Sequence, residues 1–234
     1  MTASMTIFPY EPFELDSGIT LLDFQNKVEF SQLIFRINKL KKHDTLIDDT
    51  DRIVHFYTDE KNPLDEKLKD IAFIGDLTQY EINSTANLKY VFQKAVQDSA
   101  LFKDKLESIN SQINDIVFDS VTNYTASLTF DPYSDFEKLL KVKDVRLDSS
   151  KWENYCDKII SIVSFYVEFT SKKLLLFHNL EKLLSFDQLN ELNDYLKSVD
   201  LVIVSLESYP LELKEEGLDI KVYSIDEDHV RFDY

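Results

Sequence analysis

SKKLLLFHNLEKLLSFDQLNELNDYLKSVDLVIVSLESYP, spanning Ser171–Pro210, reads as a strand, a helix and a second strand. Lys173–His178 is an apolar run short enough for a strand buried on both faces, and Asp200–Leu206 is another. Between them Ser185 can cap a helix whose apolar residues return every 3.6 positions. Two buried runs joined by a helix make a parallel βαβ unit, for which the right-handed crossover is expected. The first strand ends in Asn179, where a nucleotide-hydrolysing α/β protein carries the acid that organises magnesium and water. An amide at that place turns the reading from catalysis toward binding.

Outward from this unit, Ile19–Phe24 reads as a strand after the Ser17-Gly18 turn. A helix follows, with Val28, Phe30, Leu33, Ile34, Ile37 and Leu40 on its apolar stripe. Arg52–Tyr57 and Ile71–Ile74 are expected strands, separated by a charged loop with Pro63. From Asn83 to Tyr124 the period is helical, with Asn83 or Ser84 as cap and a soft break near Ser99. Thr125–Phe130 alternates like an edge strand, Ser134–Leu140 reads as a short helix, and Lys151–Thr170 as a long amphipathic helix. Ile220–Ile225 and His229–Tyr234 close the chain as a hairpin around Asp226-Glu227-Asp228. The expected fold class is α/β: a degenerate P-loop-ATPase-like head built from residues 1–80 and 171–234, with an α-helical lobe, 81–170, inserted.

Composition narrows the partners. Acidic residues outnumber basic ones 43 to 26, and the net charge of −17 should repel nucleic acid unless a basic surface is segregated. The N-terminus lacks the pattern of a secretory signal, and the longest apolar run, Ile159–Val167, is too short to span a membrane. A soluble, cytoplasmic protein without membrane partners is the expectation. Cys156 is the only cysteine, so no disulfide framework or multi-thiolate zinc site forms within one chain.

Phosphate-binding loops need clustered glycines, whereas Gly18, Gly75 and Gly217 stand alone. His43, His55, His178 and His229 form no metal-ligand spacing, and no GxSxG elbow occurs. Two charge clusters remain. Asp119, Asp131, Asp135 and Glu137 surround the turn-rich FDPYSDFE segment and are candidate calcium ligands, because calcium tolerates irregular oxygen cages; they read equally as a solvated, helix-capping acidic turn. Arg36, Lys39, Lys41 and Lys42 at a helix end, with Lys89, Lys94, Lys138, Lys141 and Lys143, are the candidate phosphate contacts, or else solvated faces.

Three segments, taken in order, resemble the Csn2 family, the small CRISPR-associated adaptation proteins of type II-A systems: Ile74–Phe92, Asn114–Tyr124 and, most specifically, Phe169–Glu207. The resemblance implies a non-enzymatic homotetrameric ring whose basic hole threads double-stranded DNA without reading sequence, with calcium holding the helical lobes. It also implies a role in spacer acquisition and antiviral immunity beside the integrase pair and the RNA-guided effector nuclease. The family's calcium region is crowded with acids, whereas Asn123–Thr129 carries none here, so weaker binding or fewer sites are expected. The alternative is an NTPase-like scaffold or regulator that binds only protein partners. A divergent nuclease acting through the acids around Asp131 is a third class, for which carboxylates would have to converge from rigid elements.

Overall fold

A computed structural model describes residues 2–41, 55–58, 71–133, 135–208 and 219–234. The βαβ unit forms as the sequence predicts. β6 (Leu174–His178) lies parallel to β7 (Val202–Glu207), with Leu174 opposite Val202 and His178 opposite Leu206. α6 (Phe186–Ser198) connects them. The Ser185 hydroxyl accepts from Gln188 N at 3.3 Å and the Gln188 side chain accepts from Ser185 N at 3.0 Å, a reciprocal cap for two otherwise unmet donors. Leu189, Leu192, Asn193 and Leu196 form its buried stripe.

β3 (Gly18–Phe24) lies parallel to β7 on its other side and β8 (Lys221–Ile225) parallel to β3. β9 (Arg231–Asp233) closes that edge antiparallel, and β5 (Ile71–Asp76) lies parallel to β6 at the opposite edge. The order is β5-β6-β7-β3-β8-β9. All residues of β3 and β7 are buried, as central strands covered on both faces require.

A second, antiparallel sheet in the order β2-β1-β4 was not foreseen at its N-terminal strands. β1 (Thr2–Thr6) pairs with β2 (Phe13–Asp16) and with β4 (His55–Thr58). Its period was visible in buried Ala3, Met5 and Ile7 alternating with Ser4 and Thr6. Met5, Phe13 and Leu15 share a core with Leu22, Phe24, Leu176, Val204 and Tyr223. Of the expected strand Arg52–Tyr57, residues 52–54 lie outside the described set.

α1 (Lys27–Lys41) follows β3, and α5 (Tyr155–Phe169) precedes β6. The chain divides into two compact units, Met1–Tyr80 with Ser149–Tyr234, and Glu81–Asp148. The sequence reading assigned α5 to the helical lobe, whereas contacts place it in the first unit. Its buried side chains include Ile159, Ile162, Val163 and Phe165; Tyr166 OH meets Tyr80 OH at 2.9 Å, and Lys158 Nζ donates to Leu77 O at 2.7 Å. It also starts later than expected, because Asn154 and Asp157 cap one another's backbone and leave Trp152 outside.

The second unit holds α2 (Thr85–Asp98), a 3-10 turn at Ser99–Phe102, α3 (Lys103–Thr122) and α4 (Phe136–Val142). Ser84 is the cap of α2, accepting from Asn87 N at 3.4 Å. Thr125–Phe130 corrects the expected edge strand: it alternates but has no ladder partner among the described residues. Asn110 and Asn114 hold the returning chain by donating to Pro132 O at 2.9 and 2.8 Å. No helix among the described residues is long and apolar enough to cross a membrane.

Candidate nucleic-acid interface and the strand-end crevice

The carboxyl ends of parallel strands are where sheets of this kind present ligands. β3 passes into α1 through Gln25 and Asn26 alone. The Asn26 side chain accepts from Val28 N at 3.0 Å and Glu29 N at 3.2 Å, taking N–H groups that a phosphate-binding turn would leave available. Glu29 adds a carboxylate in the first turn of the helix. It accepts from Tyr10 OH at 2.5 Å and lies 3.1 Å from His229 Nδ1. Burial, followed by the Glu29 carboxylate beside it, pushes the Tyr10 hydroxyl above its ordinary range, so Tyr10 remains a donor. The local field opposes phosphate.

At the end of β6, Asn179 adopts φ 58°, donates its N–H to Leu206 O at 2.9 Å and accepts from the Ser208 hydroxyl at 3.2 Å. The amide expected to replace an acid is thus engaged in joining two strand ends. One strand over lies a carboxyl that the sequence reading did not single out, although it closes the apolar run of β7. Glu207 is buried, and its Oε1 accepts from the Ser205 hydroxyl at 2.6 Å, Leu180 N at 2.9 Å and Glu181 N at 3.3 Å. Burial pushes this carboxyl up to about 7, the hydrogen bonds opposing the shift only in part. At the β5 end, the Thr78 hydroxyl bonded to Asp76 holds that carboxyl below its usual range, with His178 and Lys158 adding smaller attraction.

The basic candidates fall in two groups. In the first unit, Arg36 and Lys39 are exposed three residues apart on α1, with Lys39 Nζ 4.8 Å from the Phe35 ring centre. Lys41 ends that helix, and Lys42 lies outside the described residues. In the second unit, Lys89 and Lys94 are exposed on α2, Lys138 and Lys141 on α4, and Lys143 caps α4 at its C-terminus. Lys94 pairs with Asp98 at 3.1 Å and Lys141 with Glu137 at 2.6 Å. Exposed pairs of this kind are worth about 0–1 kcal/mol, so phosphate can displace them.

The four acids do not gather. Asp119 is exposed near the end of α3, Asp131 accepts from Tyr133 N at 3.0 Å, and Asp135 caps α4 by accepting from Glu137 N at 2.9 Å. Glu137 holds Lys141. Among the described residues no three His, Cys, Asp or Glu side chains are placed to hold a metal ion. Within one chain Asp131 and Asp135 therefore serve as local caps and Glu137 as an ion-pair partner, and the four do not form the oxygen cage that calcium requires.

Residues 48–229 match the family model for CRISPR-associated protein Csn2. CRISPR-associated protein Csn2 of Streptococcus agalactiae is 22% identical over 222 residues, covering 94% of this chain and 92% of that protein. CRISPR-associated protein Csn2 of Enterococcus faecalis is 20% identical over 205 residues, covering 84% and 85%. The crystal structure of Stu0660 of Streptococcus thermophilus superposes with a TM-score of 0.59 at 14% identity, covering all of this chain and 77% of that one, which supports the α/β fold. The family match takes in the βαβ unit, both charge clusters except for Arg36–Lys42, and the strand-end crevice apart from its N-terminal wall, and by it the chain belongs to the Csn2 family of CRISPR-associated proteins.

Proposed function

We propose that this protein is a non-enzymatic, sequence-independent clamp for double-stranded DNA ends, working in the cytoplasm as a homotetrameric ring during spacer acquisition in type II-A antiviral immunity. Its partners in that role are the integrase pair and the RNA-guided effector nuclease of the same system. The observation that carries the reading is the family match over residues 48–229. The Asn26-filled turn and Asn179 support a binding role over nucleotide hydrolysis, and exposed lysines on α2 and α4 supply cations for phosphate contacts. Those contacts carry no sequence information and weaken with salt. Calcium enters no step of this reading, because the acids of one chain do not converge.

Assembly is supported by α3, a helix of 20 residues with none buried. Ile109, Ile113 and Ile116 follow one another at helical spacing, with Ile113 50% and Ile116 67% exposed. Apolar surface of this kind calls for a covering partner, here another copy. Ile113→Asp with Ile116→Asp is expected to convert the tetramer into smaller species by light scattering. An intact tetramer would place assembly on another surface.

The reading is tested by competition between linear duplex and covalently closed circular duplex of the same sequence. Selective retention of the linear form is expected for threading through an end. Equal retention would indicate an open surface patch, and no binding would favour the alternative scaffold that meets only proteins. Lys89→Glu with Lys138→Glu, and separately Arg36→Glu with Lys39→Glu, locate the surface. The pair facing DNA should lose about tenfold or more in affinity near 0.1 M salt and show a shallower salt dependence.

A further inference from the structure

Another surface of the first unit has a different chemistry. A cleft of about 420 Å³ opens between the β1–β2 turn, the first three turns of α1 and the turn before β9. It lies beyond the carboxyl end of β3. The next strand of this sheet after β3 is β5, at one edge, and the next after β8, the neighbour of β3, is β9, at the other. Such a reversal leaves a crevice in which α/β sheets bind ligands. Phosphate is the usual guest of a helix N-terminus there, but Asn26 already takes the N–H groups of Val28 and Glu29.

The cleft is charged at two ends and apolar between. At one end Glu29 is held from both sides, by Tyr10 OH on Oε1 and His229 Nδ1 on Oε2, so its carboxylate is oriented before any guest arrives. Each oxygen keeps acceptor capacity for a cation. At the other end stands Arg36, seven residues along α1, which at 1.5 Å per residue is about 10 Å away. Leu33, Val28 and Phe8 line the space between. Val28 is 66% and Phe8 72% exposed, an opening that a guest would cover.

We propose that this cleft docks an extended segment of a partner protein in which a basic residue meets Glu29, an acidic residue about 10 Å further on meets Arg36, and an apolar side chain between them covers Phe8 and Val28. In a polyproline II chain, residues three apart share a face and stand about 9 Å apart, close to the rise along α1 between positions 29 and 36. Opposite charges at the two ends fix the direction of the segment, since a reversed one would place like charges together. The inference stands on the cleft and is independent of the DNA-clamp reading.

The probe is the capped tetrapeptide Lys-Phe-Pro-Glu, titrated against the whole protein without DNA and followed by NMR shifts of α1 amides. The like-charged Glu-Phe-Pro-Glu, which places an acid at Glu29 in either direction, is the control. Saturable binding on the order of 1 mM or tighter is expected, the like-charged peptide being about tenfold weaker. Glu29→Gln should remove most of that difference, and Arg36→Gln, at an exposed position, should weaken binding severalfold with the fold intact. Lack of saturation, equal binding of the two peptides, or affinities unchanged in both variants would overturn the proposal.

Discussion

Gly18→Ala is expected to lower the stability of the protein by about 3–5 kcal/mol, the sum of backbone strain and disrupted buried hydrogen bonds. Gly18 opens the central strand β3 at φ 122°, a backbone conformation that side-chain-bearing residues rarely adopt. A Cβ there would stand 2.5 Å from Asn193 Oδ1. Asn193 cannot withdraw cheaply: it is buried, its Oδ1 accepts from Ile19 N at 2.8 Å, and its Nδ2 donates to Asp219 O at 2.6 Å. Moving it strands the Ile19 donor between sheet and α6, which costs about 1–3 kcal/mol in addition to the strain. In thermal unfolding the variant should melt about 10 °C or more below the parent. Asn193→Ala removes the clash but also the hydrogen bonds, so the double variant should lose less than the two single losses added together. Strict additivity would show that the two residues do not meet. Gly75→Ala provides the comparison: at φ 75° it meets only the His178 ring at 3.2 Å, on edge strand β5, and should cost less.

The second large effect is a dependence of stability on pH carried by Glu207. The folded state holds this carboxyl at about 7, above its ordinary 4.5, so the folded protein binds the proton more tightly than the unfolded chain. The resulting stabilisation is fully present below pH 4.5 and is lost as pH rises through about 7. At 1.36 kcal/mol per pKa unit the span amounts to about 3 kcal/mol. Glu207→Gln keeps an oxygen acceptor for Ser205, Leu180 and Glu181 while removing the titration. Denaturant unfolding across this window should therefore show a flatter pH profile for the variant than for the parent. Parallel profiles would place the titration on other carboxyls.

Much of the fold is legible because it is local. The continuous apolar runs and the helical period within Leu174–Glu207 predict β6, α6 and β7, and Ser185 with Gln188 is readable as a reciprocal cap before any contact is known. Where the reading of strands departs from the structure, the deciding contact is distant. β1 needs Phe13–Asp16 and His55–Thr58 beside it, whereas the equally alternating Thr125–Phe130 has no ladder partner among the described residues and forms no strand. Trp152 fits the apolar period of α5, but Asn154 and Asp157 start the helix after it.

The candidate site divides in the same way. Asp119, Asp131, Asp135 and Glu137 are close in sequence, yet Asp131 and Asp135 are engaged by backbone N–H groups two residues on, Glu137 by Lys141, and Asp119 stands exposed on α3. Tyr10, Glu29 and His229, by contrast, meet across separations of 19 and 200 residues that no local pattern encodes.

By itself the sequence determined which segments are strands and helices around the βαβ unit, the acidity of the chain, the lack of a glycine-rich phosphate loop, and the family resemblance, because these depend on residues near one another along the chain. Only the tertiary structure decided the order β5-β6-β7-β3-β8-β9, the burial of Glu207, the clash awaiting a side chain at Gly18, and the two-ended cleft beside Glu29. Each of these follows from long-range burial and hydrogen bonding, whose free energy depends on which distant surfaces leave water together.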